Sequence, residues 1–367
     1  MNTPVRFIQV GMGVRGEQWA KVVGEDPRTC NVAYVRQRLD LARQTLLDWG
    51  QPEAPCFGSL EEAFSSVEAD AVNLVTPPEG HHEQTLTAFK HGCHVLCEKP
   101  LSEVLPESID MVRKAEQANL KLMVGHNFRY LASSQMLRKL IRDKTYGVPG
   151  FANFNYIRNR DGNRKDLNKY PLIMKQPMLL EQSVHHIDLI RYCYEDEIIS
   201  VKADTWRPKW STYDDDCCVS ALFELKSGMR VNYLGTWTSG WNKMCFEWRT
   251  DCDGGVIIQK HQFSDMHAAR MDPALALSGR NFKENAEEAE PLLPIPLDPC
   301  VAFMDDTRGL VKEFVDAITL GTPLITSGKD HLKTLGVTLA CVESAETNQR
   351  VTMREFYKRQ GIPEAWI

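Results

Sequence analysis

The sequence of 367 residues lacks several features that would assign it to a specialised class of protein. No apolar stretch approaches the roughly 20 residues that a membrane-spanning helix needs. Lysine and arginine form no blocks and the formal net charge is −6, so nothing indicates a nucleic-acid surface. The N-terminus enters a strand pattern without the segments of a signal peptide. We therefore expect a soluble globular protein without a membrane or nucleic-acid partner.

Cysteine is present, but not in the patterns that form disulfide frameworks or metal sites. The eleven cysteines are scattered, none forms a CxxC pair, and Cys217-Cys218 are too close for an easy bridge. This usage predicts reduced thiols in the cytoplasm. The pairs His81-His82 and His185-His186 are helix neighbours that cannot both face one ion, and there is no HExxH spacing. We therefore predict no metal site.

Two kinds of hydrophobic pattern divide the chain, whose length suits two domains. Up to about residue 125, continuous apolar runs alternate with amphipathic segments, as in parallel sheets buried on both faces. Farther on, helices predicted at 133–144 and 179–194 precede period-two runs typical of antiparallel strands, at 201–206, 219–225, 230–236 and 244–250. We predict an α/β, doubly wound parallel sheet over 1–125 and an α+β domain over 126–367, irregular at 265–299.

A glycine-rich turn follows the first predicted strand and opens a helix. In Gly11-x-Gly13-x-x-Gly16 the first glycine permits a tight turn and the second lets a pyrophosphate approach the backbone. The third allows the helix and strand to pack closely, and the helix N-terminus favours phosphate. Ordinary strand–helix turns also use glycine, but the alternating domain around this motif favours dinucleotide binding.

Arginine stands where a dinucleotide site that prefers NAD has an acid. An Asp or Glu about twenty residues after the glycines would bind the ribose hydroxyls. This chain has Arg36, Gln37 and Arg38 there, and a guanidinium can pair with a 2′-phosphate. The position predicts preference for NADP. The alternative is that Arg36 is a solvated surface residue and the register is shifted by one or two.

Two further turns end predicted strands, and ligands of open α/β sheets bind at the carboxyl ends of strands. Thr76-Pro77-Pro78 precedes His81 and His82, which start a helix. Glu98-Lys99-Pro100 ends the next strand, and Lys99 could hold a substrate oxygen beside a nicotinamide. The alternatives are a rigid turn at Pro77-Pro78 and a structural Glu–Lys pair.

The stretch MLLEQSVHHIDLIRY carries a histidine between two acids. Glu181, His185 and Asp188 are spaced i, i+4 and i+7, which predicts one face of an α-helix. A carboxylate can orient an imidazole, and histidine suits proton transfer near neutral pH. The alternative is a buried, structural histidine in a salt-bridged helix.

Taken together, the glycine turn, TPPEGHHEQTLTAFKHGCHVLCEKPL and EQSVHHIDLIRY resemble the Gfo/Idh/MocA family (glucose-fructose oxidoreductase, inositol dehydrogenase and rhizopine-catabolism protein). VGHNFRY, at 124–130, resembles the family's domain junction. The resemblance covers essentially the whole chain. It implies a Rossmann domain, then a large, mostly antiparallel open sheet, one face of which packs on helices and the other often on another subunit, so we expect a homodimer or homotetramer.

The same resemblance implies a reaction at a secondary alcohol or ketone of a sugar, polyol or inositol-like substrate, with NADP or NAD as cofactor. Lys99 matches the family's EKP lysine and His185 its histidine, while Glu181 and Ser183 replace the commoner Asp and Gly. We assign His185 as general base, Lys99 as the group that holds the oxygen, and Glu181 as the group that orients Lys99 or the substrate. The alternative function is a non-catalytic NADP-binding sensor or regulatory protein; the presence of both Lys99 and His185 favours an enzyme.

The predicted contacts comprise two sets. The cofactor set is Gly11, Met12, Gly13, Val14, Arg15, Gly16, Arg36, Gln37, Thr76, Pro77, Pro78, His81, Glu98, Lys99 and Asn127. The substrate set is Lys99, Arg129, Tyr156, Arg158, Glu181 and His185. Segment 157–171 is either a pocket wall, with Arg160 or Tyr170 meeting substrate oxygens, or a solvated loop. Three tryptophans could stack on a sugar but are expected in the sheet core or a subunit interface: Trp206, Trp237 and Trp241.

Overall fold

A computed structural model describes residues 3–160, 169–271 and 290–367. Its internal contacts form two compact units. Unit 1 contains Met1–Tyr130, Val301–Leu335 and Gln360–Ile367, and unit 2 contains Leu131–Cys300 and Gly336–Arg359. This division differs from the predicted one at residue 125, since distant C-terminal segments belong to unit 1. None of the described helices is both long and apolar enough to span a membrane.

Unit 1 is built on a six-stranded parallel sheet. Its strands are β1 (Val5–Val10), β2 (Thr29–Val35), β3 (Cys56–Phe57), β4 (Ala71–Leu74), β5 (His94–Cys97) and β6 (Leu122–Val124). The order β3-β2-β1-β4-β5-β6 confirms the predicted doubly wound Rossmann sheet. Strand order reverses between β1 and β4, and a crevice at such a switch point is where ligands of open α/β sheets bind.

Helices cover this sheet, and one of them comes from far along the sequence. The predicted segments form α1 (Val14–Glu25), α2 (Leu39–Asp48), α3 (Leu60–Phe64), α4 (His81–Lys90) and α5 (Leu105–Ala118). A later helix, Asp305–Thr319, packs its apolar face on β1 and α1, with the rings of Phe7 and Phe314 6.0 Å apart. Local hydrophobic periodicity does not indicate this partner, which explains why a division at residue 125 misses it.

Unit 2 contains a nine-stranded sheet in the order β14-β13-β12-β11-β7-β10-β9-β8-β15. The strands are β7 (Pro149–Ile157), β8 (Ile198–Trp206), β9 (Cys218–Leu225), β10 (Arg230–Thr236), β11 (Cys245–Cys252), β12 (Gly255–Gln259), β13 (Met266–Arg270), β14 (Leu293–Ile295) and β15 (Val351–Thr352). Only the β7–β10 pair is parallel among the described pairings, so the expected mostly antiparallel sheet is confirmed. The prediction of an irregular stretch at 265–299 was wrong for the short strands β13 and β14, of which β14 forms the edge of the sheet.

The two faces of the unit 2 sheet differ in chemistry. The inner face is aromatic: Phe154 stacks on Trp248 with ring centroids 4.5 Å apart and meets Tyr233 edge-on. The outer face of the central strands is polar in part, with Asn232 donating to Asn153 at 3.0 Å. Unit 2 also holds α6 (Ala132–Arg142), α7 (Val184–Tyr194) and α10 (Met353–Arg359). The helix Asp305–Thr319 described above is α8, and the next helix is α9 (Gly328–Thr347). The division between the two units falls inside α9.

Candidate functional site

The glycine turn of unit 1 has the backbone that the motif predicts. Gly11 has φ +96°, and a Cβ there would lie 2.2 Å from the carbonyl oxygen of Val75. A Cβ on Gly16 would lie 2.4 Å from the Gly11 oxygen. Both positions therefore exclude any side chain, Gly11 because of its conformation and Gly16 because of close helix–strand packing.

Gly13 differs from its two neighbours because the space beside it is open. A Cβ built on Gly13 meets no heavy atom within 4 Å among the described residues. Gly13 is also the N-cap of α1, whose first residue is Val14, and no described side chain caps the helix there. Open space above uncapped amides is what a pyrophosphate requires, so Gly11, Met12, Gly13, Val14, Arg15 and Gly16 fit a dinucleotide.

Two buried amides support the glycine turn, and sequence reasoning missed both. Asn73 of β4 donates to the Gln9 side-chain oxygen of β1 at 2.7 Å. Gln9 in turn donates to the Gly11 carbonyl at 3.0 Å, and both amides are fully buried. A lone polar residue inside each apolar strand, FIQV and AVNL, was the available signal, because buried amides need partners.

Arg15 and Glu98 bind each other. Both residues were predicted as cofactor contacts, but this pairing was not predicted. Arg15 Nε donates to Glu98 Oε1 at 2.8 Å, and Trp19 Nε1 donates to the same oxygen at 2.7 Å. Burial raises the pKa of Glu98, but the charges of Arg15 and Lys99 and the hydrogen bonds from Trp19 and Arg15 together more than offset this, so the pKa lies below its ordinary value. The glycine turn and the EKP turn are thus connected by an ion pair.

His81 connects the TPP turn to the EKP turn. Its ring nitrogens lie 2.8 Å from the Thr76 carbonyl oxygen and 2.9 Å from the Pro100 carbonyl oxygen, and the side chain is fully buried. Thr76 also bonds Gln84. Pro77 and Pro78 lead into a 3-10 turn, Pro78–Gly80, before α4. His81 was predicted to touch the cofactor, but its ring is occupied by the protein's own backbone; His82 pairs with Asp110 at 3.0 Å.

A second histidine holds the other side of the EKP turn. The Leu101 amide donates to His331 Nε2 at 3.2 Å, and His331 Nδ1 lies 2.7 Å from His126 Nε2. Because His331 Nε2 accepts, the proton of a neutral ring sits on Nδ1 and is donated to His126. The half-buried Lys99, joined to Pro100 by a cis peptide, therefore precedes two residues whose backbone groups bind buried histidines.

The junction residues after β6 serve the packing of unit 1. Asn127 donates to Asp306 Oδ2 at 2.6 Å, and burial raises the pKa of Asp306 against the opposing charge of Arg15. Arg129 is 4 % exposed, donates to the Ile325 carbonyl at 2.9 Å and pairs with Asp330. A guanidinium that is enclosed in this way has no open edge for a sugar, which corrects the prediction that Arg129 binds substrate.

Arg36 directly follows β2, as the register predicted, and Gln37 beside it is exposed. Arg36 Nη1 donates to Thr45 Oγ1 of α2 at 3.0 Å, while its Nε and Nη2 bind none of the described residues. Arg38 pairs with Asp40 at 2.8 Å. The guanidinium thus has one anchored nitrogen and one unoccupied edge.

The predicted histidine helix of unit 2 is not a single α-helix. Met178–Ser183 forms a π-helical segment, and α7 begins at Val184. Glu181 lies in the π-segment, whereas His185 and Asp188 lie in α7 and are 7 % and 1 % exposed. The π-segment replaces the single α-helix that was predicted here and changes the angle about the helix axis between Glu181 and His185; that these side chains share one face stays a prediction. π-turns are rare and often occur at functional sites.

The other residues predicted to contact the substrate differ in how far they are buried. Tyr156 of β7 is fully buried, with its hydroxyl 3.3 Å from Gln182 Oε1, which corrects its assignment as a substrate contact. Arg158 is half-buried after β7. Arg160 lies over the Trp237 ring at 4.6 Å. Trp237 is a core residue, as expected, while Trp206 and Trp241 are exposed. In the segment predicted as a pocket wall, Tyr170 is half-buried and positions 161–168 lie outside the described residues.

Both the N-terminal and the middle part of the chain are similar in sequence to known proteins. Residues 5–126 match the family model described as oxidoreductase family, NAD-binding Rossmann fold, and residues 134–257 match the GFO/IDH/MocA C-terminal domain. Inositol 2-dehydrogenase of Rhodococcus jostii is 28% identical over 257 residues, which are 68% of this chain and 66% of that protein. No group of three or more described His, Cys, Asp or Glu side chains could hold a metal ion.

Solved structures share the fold. An oxidoreductase from Agrobacterium radiobacter in complex with NAD+, L-tartaric acid and magnesium superposes with a TM-score of 0.82 at 17% identity, covering 96% of this chain and 99% of that one. Levoglucosan dehydrogenase, in complex with NADH and levoglucosan, gives 0.80 at 16% identity, covering 96% and 100%. With the glycine turn, the EKP turn and both family models in agreement, the chain belongs to the Gfo/Idh/MocA family and is an NAD-binding oxidoreductase.

Proposed function

We propose that this protein is an NADP-preferring dehydrogenase or reductase that acts on a secondary alcohol or ketone of a sugar, polyol or inositol-like compound. The observation that carries the proposal is the meeting of the glycine turn, the TPP turn and the EKP turn at the carboxyl ends of β1, β4 and β5. A bound nicotinamide would supply the hydride acceptor or donor. The inositol and levoglucosan named for the similar proteins support the substrate class.

Three side chains carry the proposed chemistry. His185 takes the proton from the substrate hydroxyl in the oxidative direction and returns it in the reductive direction. Lys99 donates hydrogen bonds to the same oxygen and stabilises its developing negative charge. Glu181 orients Lys99 or a neighbouring substrate hydroxyl. The ion pair of Arg15 with Glu98 and the ring of His81 hold the glycine, TPP and EKP turns in place. These turns would bind the phosphates and the nicotinamide of the cofactor.

The test is a panel of sugars and polyols with NADP+ and NAD+ assayed in parallel, following absorbance of the reduced cofactor. His185→Ala should lower kcat by several orders of magnitude and leave cofactor affinity unchanged. Near-normal turnover in that variant would contradict its role as base. If no substrate in the panel reacts while NADPH still binds, the sensor or regulatory function is favoured instead.

The NADP preference depends on Arg36. Its unoccupied edge can receive a 2′-phosphate, and neither following residue supplies the acid that binds NAD ribose. Arg36→Asp should lower the ratio of kcat/KM for NADP+ to that for NAD+ at least 10-fold, or about 1.4 kcal/mol. Arg38→Asp is the matched control because Arg38 is paired with Asp40 on the surface. An unchanged ratio in Arg36→Asp would remove this part of the proposal.

We further propose a cytoplasmic homodimer or homotetramer. All eleven cysteines are free thiols, which suits a reducing compartment. The outer face of the unit 2 sheet leaves residues such as Phe151, 49 % exposed, uncovered by this chain. Analytical ultracentrifugation over a range of concentrations measures the assembly directly, and a single monomer species at all of them would contradict it.

A further inference from the structure

A buried network of hydrogen bonds joins the π-segment of unit 2 to the sheet beneath it. Tyr233 of β10 is 2 % exposed, and its hydroxyl oxygen lies 2.8 Å from Ser183 Oγ and 2.7 Å from His186 Nδ1. Ser183 is the last residue of the π-segment, and His186 lies in the first turn of α7. One hydroxyl therefore binds both sides of the point where the π-segment becomes an α-helix.

The direction of each bond in this network follows from the chemistry of its members. Gln182 Nε2 lies 3.1 Å from His186 Nε2, and an amide nitrogen can only donate, so His186 Nε2 accepts. Burial lowers the pKa of His186 to about 3, which keeps the ring neutral. Because Nε2 accepts from Gln182, the one ring proton sits on Nδ1. That proton is donated to Tyr233, whose own hydroxyl proton is then donated to Ser183. Tyr156 donates to Gln182 Oε1, which completes the network.

Gly235 makes room for this arrangement. It lies two residues beyond Tyr233 on β10 and thus on the same face of the sheet. A Cβ there would lie 2.5 Å from the Tyr233 hydroxyl oxygen and 2.6 Å from Met178 Cε, at the start of the π-segment. The start of the π-segment and the Tyr233 hydroxyl that binds its last residue therefore both pack against the position that a side chain at 235 would fill.

The residues held by the network are direct neighbours in sequence of the predicted catalytic ones. Glu181 immediately precedes Gln182, and His185 immediately precedes His186. A π-segment is less favourable than an α-helix and persists where its surroundings hold it. Loss of the Tyr233 bonds would let the segment relax toward α-helix and change the angle about the helix axis between Glu181 and His185.

We propose that Tyr233 is a positioning residue, whose hydroxyl holds Ser183 and His186 and thereby sets the directions in which Glu181 and His185 present their side chains. The inference rests on the proposed function, because it assumes that His185 transfers the proton. It explains why this chain carries serine at 183: the hydroxyl of Ser183 is the partner through which β10 holds the end of the π-segment.

The decisive variant is Tyr233→Phe, which keeps the ring and removes the hydroxyl. Tyr194→Phe is the matched control, since Tyr194 is also buried in unit 2, and its hydroxyl binds Trp248 Nε1 at 2.8 Å and Thr250 at 2.7 Å, at the far end of α7. Both variants lose two buried hydrogen bonds of one hydroxyl, so both should lower the melting temperature to a similar extent.

Two readouts separate positioning from stability. The first is an NMR titration of ¹⁵N-histidine-labelled protein, with the His185 signal assigned from His185→Ala. The second is kcat and KM, measured on the most active substrate of the sugar and polyol panel with NADP+. Tyr233→Phe should shift the His185 titration and lower kcat about 10- to 100-fold, with cofactor KM unchanged. Tyr194→Phe should leave the titration unshifted and kcat within about 2-fold.

Ser183→Ala provides a second variant that removes the bond from the other end and keeps Tyr233. It should shift the His185 titration in the same direction, which tests the inference even if Tyr233→Phe does not fold. If both variants match Tyr194→Phe in titration and kcat, Tyr233 is structural only and the inference is overturned. Full activity of His185→Ala would instead contradict the proposed function, so the two failures are distinguishable.

Discussion

Two segments, the EKP turn and the π-segment with the start of α7, carry the predicted catalytic side chains, and buried histidine takes part in holding each of them, although through different groups. In unit 1, His81 and His331 bind backbone groups of Pro100 and Leu101, next to Lys99. In unit 2, His186 and Tyr233 bind side chains of the π-segment before His185. The EKP turn is thus held through its backbone and through the Glu98 side chain that pairs with Arg15, whereas the π-segment is held through the side chains of Gln182 and Ser183.

The largest effect in this comparison is expected at the EKP turn, where the buried Leu101 amide donates to His331. His331→Leu leaves the buried Leu101 amide without that acceptor, which costs about 1–3 kcal/mol, and displaces the turn that carries Lys99. Displacement of about 1 Å can lower kcat about 100-fold. Stopped-flow single-turnover assays, together with NADPH titration, separate a loss of chemistry from a loss of cofactor binding.

The matched control is His94→Leu, because His94 Nδ1 accepts the Lys121 amide at 3.0 Å at the opposite end of β5. It should lower the melting temperature without the loss of kcat. His331→Gln keeps an acceptor for the amide and should recover part of the activity. Equal kcat in His331→Leu and His94→Leu would show that His331 stabilises unit 1 without positioning Lys99.

A smaller effect should appear at Gly13, where the site consists of backbone alone. Gly13→Ala adds a methyl group to open space, so the folded protein keeps its stability. The methyl group occupies the space expected for the pyrophosphate and should raise the Kd for NADPH at least 10-fold, or about 1.4 kcal/mol. Fluorescence titration measures the Kd. The matched control is Gly24→Ala, near the end of α1, where the added Cβ would lie 3.9 Å from Asn31 Nδ2. This variant should leave the Kd for NADPH unchanged. Equal Kd values for the two variants would contradict phosphate binding at Gly13.

The smallest effect concerns the pH dependence of stability. Burial lowers the pKa of His186 to about 3, and burial also lowers the pKa values of His81 and His94. Unfolded histidine titrates near pH ~6.5, so the unfolded chain binds more protons below that pH. The free energy of unfolding should therefore fall as the pH drops from about 6.5 toward 3, by at most about 1.4 kcal/mol per pH unit for each site.

Thermal unfolding between about pH 7 and 5 measures this slope, above the range in which most carboxylates titrate. His186→Gln removes one of the three histidines and should flatten the slope. The same slope in the variant would mean that the buried ring of His186 contributes no proton linkage, and the neutral tautomer assigned to the network would lose its support.

The sequence anticipated unit 1 better than unit 2. Continuous apolar runs are a strong signal for parallel strands, and the alternation predicted up to about residue 125 is found as strands β1 to β6 with helices α1 to α5 between them. The short strands β13 and β14 have no such continuous apolar run, because MHAAR and LPI contain polar or exposed residues near the margin of the sheet. The junction residues illustrate the same limit: Arg129 looks like a substrate contact until its partner Asp330, two hundred residues later, is known.

By itself the sequence determined the local chemistry: the glycine spacing, the arginine after β2, and the EKP and histidine motifs follow from residue type and short-range spacing. The tertiary structure alone decided which groups hold these residues in place. Partners such as Arg15 with Glu98, His331 with Leu101 and Tyr233 with Ser183 are distant in sequence. Spacing along the chain does not encode such pairs; they arise because buried polar groups must find partners when the elements pack.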